Sequence, residues 1–236
     1  MPNLADTPDR EVVIRLTDVI KVYREAEIET IALRGVDLQI ARGEFVALMG
    51  RSGSGKSTML HLLSGSDRPT AGHVMVDGVD LSRAGETERI RLRGSRVGIV
   101  FQSQNLIPFL DLGENVRLAA ALAGRSAERS AAQAILTRVG LEERSRHRPD
   151  QLSGGEQQRA ALAAVLIARP RILLGDEITG ELDSGNAAIL LDLVTELHRS
   201  ELLTIVLATH DARVAGHADR IVELVDGRVQ SDRTAG

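Results

Sequence analysis

The chain is 236 residues long, 43% hydrophobic and 26% charged, enough for a full core and ordinary for a globular protein, which excludes a disordered or fibrous chain. A formal net charge of −4, with both signs mixed along the sequence, argues against a general phosphate-backbone binder, so nucleic acid is not an expected partner. Without cysteine there is no disulfide, thiol catalysis or zinc–thiolate site, which suits a reducing cytosol, and with aromatics at 2% the core must be aliphatic.

Met1–Asp6 has neither a basic start nor an apolar stretch, so it does not read as a signal peptide and the protein is expected in the cytoplasm. Glu11 to Val22 and Val36 to Ile40 alternate apolar and polar residues, which predicts half-exposed strands of a small antiparallel lobe. Phe45–Met49 is a continuous apolar run ending in a Gly-rich loop, and Lys56 to Leu63 then carries apolar residues suited to a helix. A turn-rich region with Pro69, Gly72 and Gly78 surrounds a predicted hairpin, His73 to Asp77, and Arg96 to Phe101 reads as another strand. From Leu112 to about Leu141 the Ala-rich pattern is helical, which predicts a separate subdomain.

The helix after Ser153 should run through Ala160–Leu166 and stop before Pro170. Ile172–Leu174 and Thr204–Leu207 are short apolar runs expected as buried parallel strands, with a helix over Ala187–Leu197 between them. Ser231–Gly236 reads as a mobile tail. A membrane span needs about 20 mostly apolar residues. Leu202 to Ala208, the best candidate, is far shorter, so a transport pathway would have to come from another chain.

Two segments carry chemistry by their residue types. In Gly50-Arg51-Ser52-Gly53-Ser54-Gly55-Lys56-Ser57, followed by Thr58, glycines let backbone N–H groups turn inward around phosphate oxygens, and the next helix presents the positive end of its dipole. Strand, loop, helix is the context a P-loop requires: Lys56 would reach the β- and γ-phosphates and Ser57 would place its hydroxyl on Mg²⁺. Downstream, Ile172-Leu173-Leu174-Gly175-Asp176-Glu177 delivers two carboxylates at a strand's C-terminal end, where open α/β sheets place ligands. This is a Walker B arrangement, in which Asp176 holds Mg²⁺ and Glu177 polarises the attacking water as general base.

A third segment, Leu152-Ser153-Gly154-Gly155-Glu156-Gln157-Gln158-Arg159, makes the chain resemble the nucleotide-binding subunit of an ATP-binding cassette (ABC) transporter over almost its whole length. Ser153 and two glycines at a helix N-terminus form a second anion site; since one chain already has its phosphate cradle at Gly50–Ser57, the spare one implies that each ATP lies between the P-loop of one subunit and this signature of another. The resemblance implies an α/β fold: a P-loop NTPase (RecA-like) core with an antiparallel β lobe and an inserted α-helical subdomain at about 105–165, within an ATPase domain spanning 11–230. It implies further roles: Gln102 contacting Mg²⁺ or the attacking water, His210 contacting the γ-phosphate, Tyr23 against adenine, and Asp183 bridging two subunits. ATP and Mg²⁺ are the implied ligands. A homodimer or heterodimer of ATPase subunits on an integral membrane permease, at the inner face of the membrane, is the implied assembly.

Two positions depart from the family pattern: Ile178 stands where Pro is usual, and Glu181 where related proteins often have Asn. Glu181 is expected to add negative charge near the subunit interface and weaken ATP-driven closure. The runs Val100–Pro108 and Leu112–Val116, with Asp176–Asp183, are most similar to lipoprotein-releasing and macrolide-export ATPases of the LolD and MacB types, which implies export or handling of lipoproteins, peptides or macrolide-like cargo. Leu106–Leu110 is then either the surface for the permease's coupling helix or ordinary core. A cell-division ATPase acting through a membrane partner and a soluble ABC ATPase are the alternatives.

Overall fold

Short continuous apolar runs become the inner strands of the larger sheet. The computed structural model describes residues 11–25, 28–103, 105–126 and 128–235, so the expectations for Met1–Asp6 and Gly236 fall outside it. β1 (Val12–Glu25), β2 (Ile28–Ala41), β4 (Ala71–Val76) and β5 (Val79–Asp80) form an antiparallel sheet in the order β2-β1-β4-β5. β3 (Phe45–Met49), β6 (Val97–Val100), β7 (Ile172–Asp176), β8 (Thr204–Thr209), β9 (Arg220–Val225) and β10 (Arg228–Thr234) form a second sheet in the order β10-β9-β3-β8-β7-β6, parallel except for β10.

Strands β3, β7 and β8 are buried on both faces, and their period-2 alternation divides the core. Val46, Leu48, Ile172, Leu174, Val206 and Ala208 face one cluster, shared with the antiparallel sheet and with helix α1 (Lys56–Leu63). Phe45, Ala47, Leu173, Ile205 and Leu207 face a second, under helices α5 (Gly154–Leu166) and α6 (Ser184–Glu201). At eight residues α1 is too short to be helical alone. Burial of Met59, Leu60, Leu62 and Leu63, worth about 1.5–3 kcal/mol each, holds it in place behind the P-loop.

The helical pattern from Leu112 resolves into α3 (Leu112–Leu122) and α4 (Arg129–Arg138), separated at Gly124, whose φ is 67°. Asp111 caps α3 by accepting from the Glu114 N–H at 2.7 Å, and Glu114 reaches back to the Asp111 N–H at 2.9 Å. Leu112, Val116, Ala132, Leu136 and Leu141 make a third cluster with Ala160 and Ala163 of α5. That helix shows Ala161, Leu162 and Leu166 to the central sheet, so it is the element that joins subdomain to core.

The sequence reading misses α2 (Glu86–Ser95), β9 and β10, and a short α7 (Ala212–Ala215) follows β8. Residues 231–234, expected as part of a mobile tail, are instead the end of β10, paired antiparallel with β9 from Ser231↔Glu223 to Thr234↔Arg220. Arg220 locks this edge: its guanidinium donates to Asp232 and to Glu44, and the Asp232 hydrogen bond, acting against burial, raises its pKa above the ordinary arginine value.

The hairpin between β4 and β5 turns on Asp77 (φ 44°) and Gly78 (φ 81°), the two-residue Asp-Gly turn that strand twist favours. The buried Asp77 carboxylate meets Arg42, Arg96 and Arg171 at 3.5, 3.5 and 3.1 Å. Three cations on one acid tie the antiparallel lobe to the loop ahead of β7 and to the end of α2.

Candidate active site

Strand register assembles the site. Met49 pairs with Thr209, Asp176 with Ala208, and Val100 with Gly175, so the chain leaves β3, β8, β7 and β6 at one edge of the sheet. That edge gathers the P-loop, Thr209–His210, Asp176–Glu177 and the loop holding Gln102.

Two glycines of the P-loop are required by geometry. At Gly55 (φ 106°) a Cβ would lie 2.6 Å from the Ala32 carbonyl oxygen, and at Gly50 (φ 156°) 2.5 Å from both the Leu224 carbonyl oxygen and Ser54 Oγ. The buried Lys56 ammonium donates to the carbonyls of Gly50 at 2.8 Å and Arg51 at 3.2 Å, which closes the loop over the α1 N-terminus. Ser54 Oγ is buried with no partner. Arg51, Ser52, Gly53 and Ser57 are exposed and Thr58 is half-buried.

Glu177 is the most constrained carboxylate of the group. Its φ is 50°, and its N–H donates to the Ala208 carbonyl at 2.9 Å. Oε2 accepts from Thr209 Oγ1 at 3.3 Å; Oε1 lies 3.0 Å from His210 Nδ1 and 3.6 Å from Lys56 Nζ. An ionised carboxylate only accepts, so His210 carries its proton on Nδ1 in this pairing and leaves Nε2 free. Thr209, 1% exposed, also accepts from the Asp211 N–H at 3.0 Å. Sequence reasoning assigned Thr209 no role, although a hydroxyl directly after the apolar run Ile205–Ala208 and before His210 was the available signal.

Asp176 Oδ1 is buried and unpartnered, as a metal ligand would be in the absence of its metal. Among the described residues no cluster of three or more acidic or imidazole groups could hold an ion alone. Mg²⁺ bound by one carboxylate, a hydroxyl and phosphate oxygens fits this donor set.

The loop after β6 is anchored through Phe101, whose carbonyl accepts from Gln158 of α5 at 2.8 Å and from Asn105 at 2.6 Å. Gln102 donates through Nε2 to Glu181 Oε1 at 3.2 Å. The turn from Glu177 to Glu181 closes with the Gly180 N–H donating to the Glu177 carbonyl at 2.9 Å. Ile178 is buried in the second core, and Gly175 makes room for it: a Cβ there would lie 3.0 Å from Ile178 Cγ2. Burial holds this turn where proline is absent.

Tyr23, on β1, donates to Asp67 Oδ2 at 3.0 Å, and Lys21 Nζ lies 4.7 Å from its ring centroid. Burial raises the phenol's pKa; a hydrogen bond with Thr58 of α1 opposes the rise and Asp67 adds to it, so the group is neutral at pH 7.

Ser153, Gly154, Gly155, Glu156 and Asp183 form a second group. Ser153 caps α5, its Oγ accepting from the Glu156 N–H at 3.3 Å while Glu156 accepts from the Ser153 N–H at 2.9 Å. The Ser153 backbone bond, aided by Arg144 at 3.1 Å, holds the Glu156 carboxyl below its usual range, so the cap occupies this residue. A Cβ on Gly155 would strike Asn186 Oδ1 at 2.4 Å, and Asn186 donates to Asp183 at 2.6 Å. Asp183 caps α6, accepting from the Gly185 and Asn186 N–H groups. Among the described residues no hydrogen bond or ion pair joins 50–57 to 153–156.

Known proteins share this architecture. A macrolide export ATP-binding/permease protein, MacB, of Syntrophobacter fumaroxidans is 44% identical over 94% of this chain and 32% of its own length. The chain thus spans 32–34% of the length of the macrolide-export relatives it matches. A lipoprotein-releasing system ATP-binding protein, LolD 2, of Rhodopirellula baltica is 42% identical over 94% of this chain and 90% of its own. A solved ATP-binding cassette, a dimer in a post-hydrolysis state bound to ADP and Pi, is 39% identical and superposes with a TM-score of 0.88 over 94% of this chain and 99% of that one. The ABC transporter family model matches residues 33–180, a stretch that takes in both the P-loop and the Asp176–Glu177 pair, and the chain belongs to the ABC transporter family.

Proposed function

We propose that the chain is the ATP-binding and ATP-hydrolysing subunit of an ABC transporter, which dimerises on ATP to drive a separate membrane permease. The observation that carries this reading is Glu177, held by Thr209, His210 and Lys56 beside the P-loop. When nucleotide arrives, Lys56 exchanges the Gly50 and Arg51 carbonyls for phosphate oxygens, and loop N–H groups with the α1 dipole hold the rest. Ser57, Asp176 and Gln102 would hold Mg²⁺, which neutralises charge on the phosphate oxygens.

Water attacks the γ-phosphorus in line, the bond from phosphorus to the bridging oxygen of ADP breaks, and Glu177 takes the water's proton. His210, through its free Nε2, faces the γ-phosphate. The first N–H groups of α5, at Gly154 and Gly155, have no partner within the helix, so they and its dipole are available to the γ-phosphate held by a second subunit, homologous or identical. Asp183 lies at the same face through Asn186.

Tyr23 offers adenine a stacking surface. Tyr23→Ala is therefore expected to weaken ATP binding by about 5- to 100-fold, the range for losing one base–aromatic stack, while Tyr23→Phe stays near wild type. Equilibrium binding of a fluorescent ATP analogue checks both.

Among the described residues no helix is long and apolar enough to cross a membrane, so the membrane-spanning part belongs to another chain or segment. Phe109, 71% exposed, sits in a loop whose backbone Asn115 ties down by accepting from the Ile107 N–H at 2.7 Å, and this stretch receives the permease on the inner face of the membrane. Similarity to LolD- and MacB-type proteins supports export or extraction of lipoprotein, peptide or macrolide-like cargo. The test is capture of tagged Glu177→Gln protein from native membranes in MgATP. A permease with few spans and a large external domain is expected; a many-span importer permease, or no membrane protein, contradicts the reading.

A further inference from the structure

Gln102 and Glu181 meet across 79 residues of sequence. A glutamine side chain has a donor end and an acceptor end that differ little in shape, so its neighbours decide which end faces the reaction. Around Gln102 the backbone is already fixed, by the Gln158 and Asn105 side chains donating to the Phe101 carbonyl and by the Asn105 side-chain oxygen Oδ1 accepting from the Phe101 N–H at 2.8 Å. The side-chain amide remains to be set, and its Nε2 lies 3.2 Å from Glu181 Oε1.

We infer that Glu181 is a positioning residue that fixes the orientation of the Gln102 amide, holding Nε2 in the turn after Glu177 and leaving Oε1 as the end presented to the nucleotide site. This rests on the ATPase reading above. An ionised carboxylate has no proton to give, so only the NH₂ end of Gln102 satisfies it. An asparagine in place of Glu181 could donate as well as accept and would tolerate either orientation. The orientation has a chemical consequence: an amide oxygen attracts a cation or accepts a hydrogen bond from water, whereas a flipped NH₂ would repel the cation. The tether also ties Gln102 to the general base, since Glu181 directly follows Gly180, which hydrogen-bonds the Glu177 carbonyl.

The test joins a spectroscopic readout to a double-mutant cycle. In nucleotide-free, ¹⁵N-labelled protein, the Gln102 side-chain amide signal is identified by its loss in Gln102→Ala. Wild type should show one amide proton shifted downfield by the carboxylate, and Glu181→Ala should return the pair to the shifts of a solvated glutamine. In turnover, Glu181→Ala should lower kcat about 3- to 10-fold, the scale of one hydrogen bond, with the KM for ATP unchanged. In the Gln102→Ala background the same substitution should have no further effect. A solvated amide signal in wild type, or a Glu181→Ala loss that persists in full without Gln102, would overturn the proposal and return Glu181 to a charge acting at the subunit interface. Both side chains are exposed, so neither substitution threatens folding. Absence of phosphate release from wild type would overturn the ATPase reading, and this role with it, whereas release with additive losses overturns this role alone.

Discussion

Glu177→Gln is expected to reduce ATP turnover by about 10²- to 10⁴-fold, the contribution of a positioned general base, while ATP still binds. Glutamine has the same shape: its oxygen can accept from His210 Nδ1 and its NH₂ can donate to the Thr209 hydroxyl, so the left-handed turn at residue 177 survives. It cannot accept the proton of the attacking water. Because reopening requires hydrolysis, the variant should accumulate as a closed, ATP-filled dimer. Phosphate release measured alongside binding of labelled ATP separates the two effects; wild-type release from this variant would remove Glu177 from the mechanism.

Lys56→Ala should abolish productive ATP binding, with kcat/KM falling about 10²- to 10³-fold or further, since it removes a preorganised charge where phosphate charge develops. Lys56 also donates to the Gly50 and Arg51 carbonyls, so alanine loosens the loop as well as removing the cation. Arginine should not rescue it, because a planar fork cannot occupy a buried position shaped for a compact ammonium. Titration with labelled ATP checks the binding loss, and affinity equal to wild type would contradict the assigned role.

The parts of this molecule that the sequence made legible are those whose cause is local. Glycines that must adopt positive φ, a lysine at a helix start and two acids after a buried strand announce themselves in consecutive residues. The alternating lobe strands were visible in part: β2 begins at Ile28, well before Val36, and its start is hidden in the sequence because Ile28–Ile31 is exposed and lacks a buried stripe. Helix α2 escaped because only Arg89 and Leu92 of its ten residues are buried, so no apolar period marks it. Only the second half of strand β10, Ser231–Thr234, largely exposed and polar, reads as tail from the sequence; pairing with β9 and the Arg220–Asp232 contact make it a strand, and neither is local.

The same division runs through the site. Glu177 and His210 could be named from their motifs, yet their mutual contact, and the part played by Thr209, follow from β7 pairing with β8. Glu181 looked like a departure from pattern at the subunit interface. Its partner, Gln102, lies on another loop and emerges only when the sheet brings both loops to one edge.

The central claim is that one chain holds half of each hydrolytic site and a second chain completes it. Sedimentation of purified Glu177→Gln protein with and without MgATP tests this most directly. The account predicts a shift on MgATP from a 25.4 kDa monomer to twice that mass, reversed when Ser153 is replaced by a bulky residue such as Phe at the α5 N-terminus. A species that stays monomeric at saturating MgATP, alongside wild-type protein that hydrolyses ATP as a monomer, would contradict it.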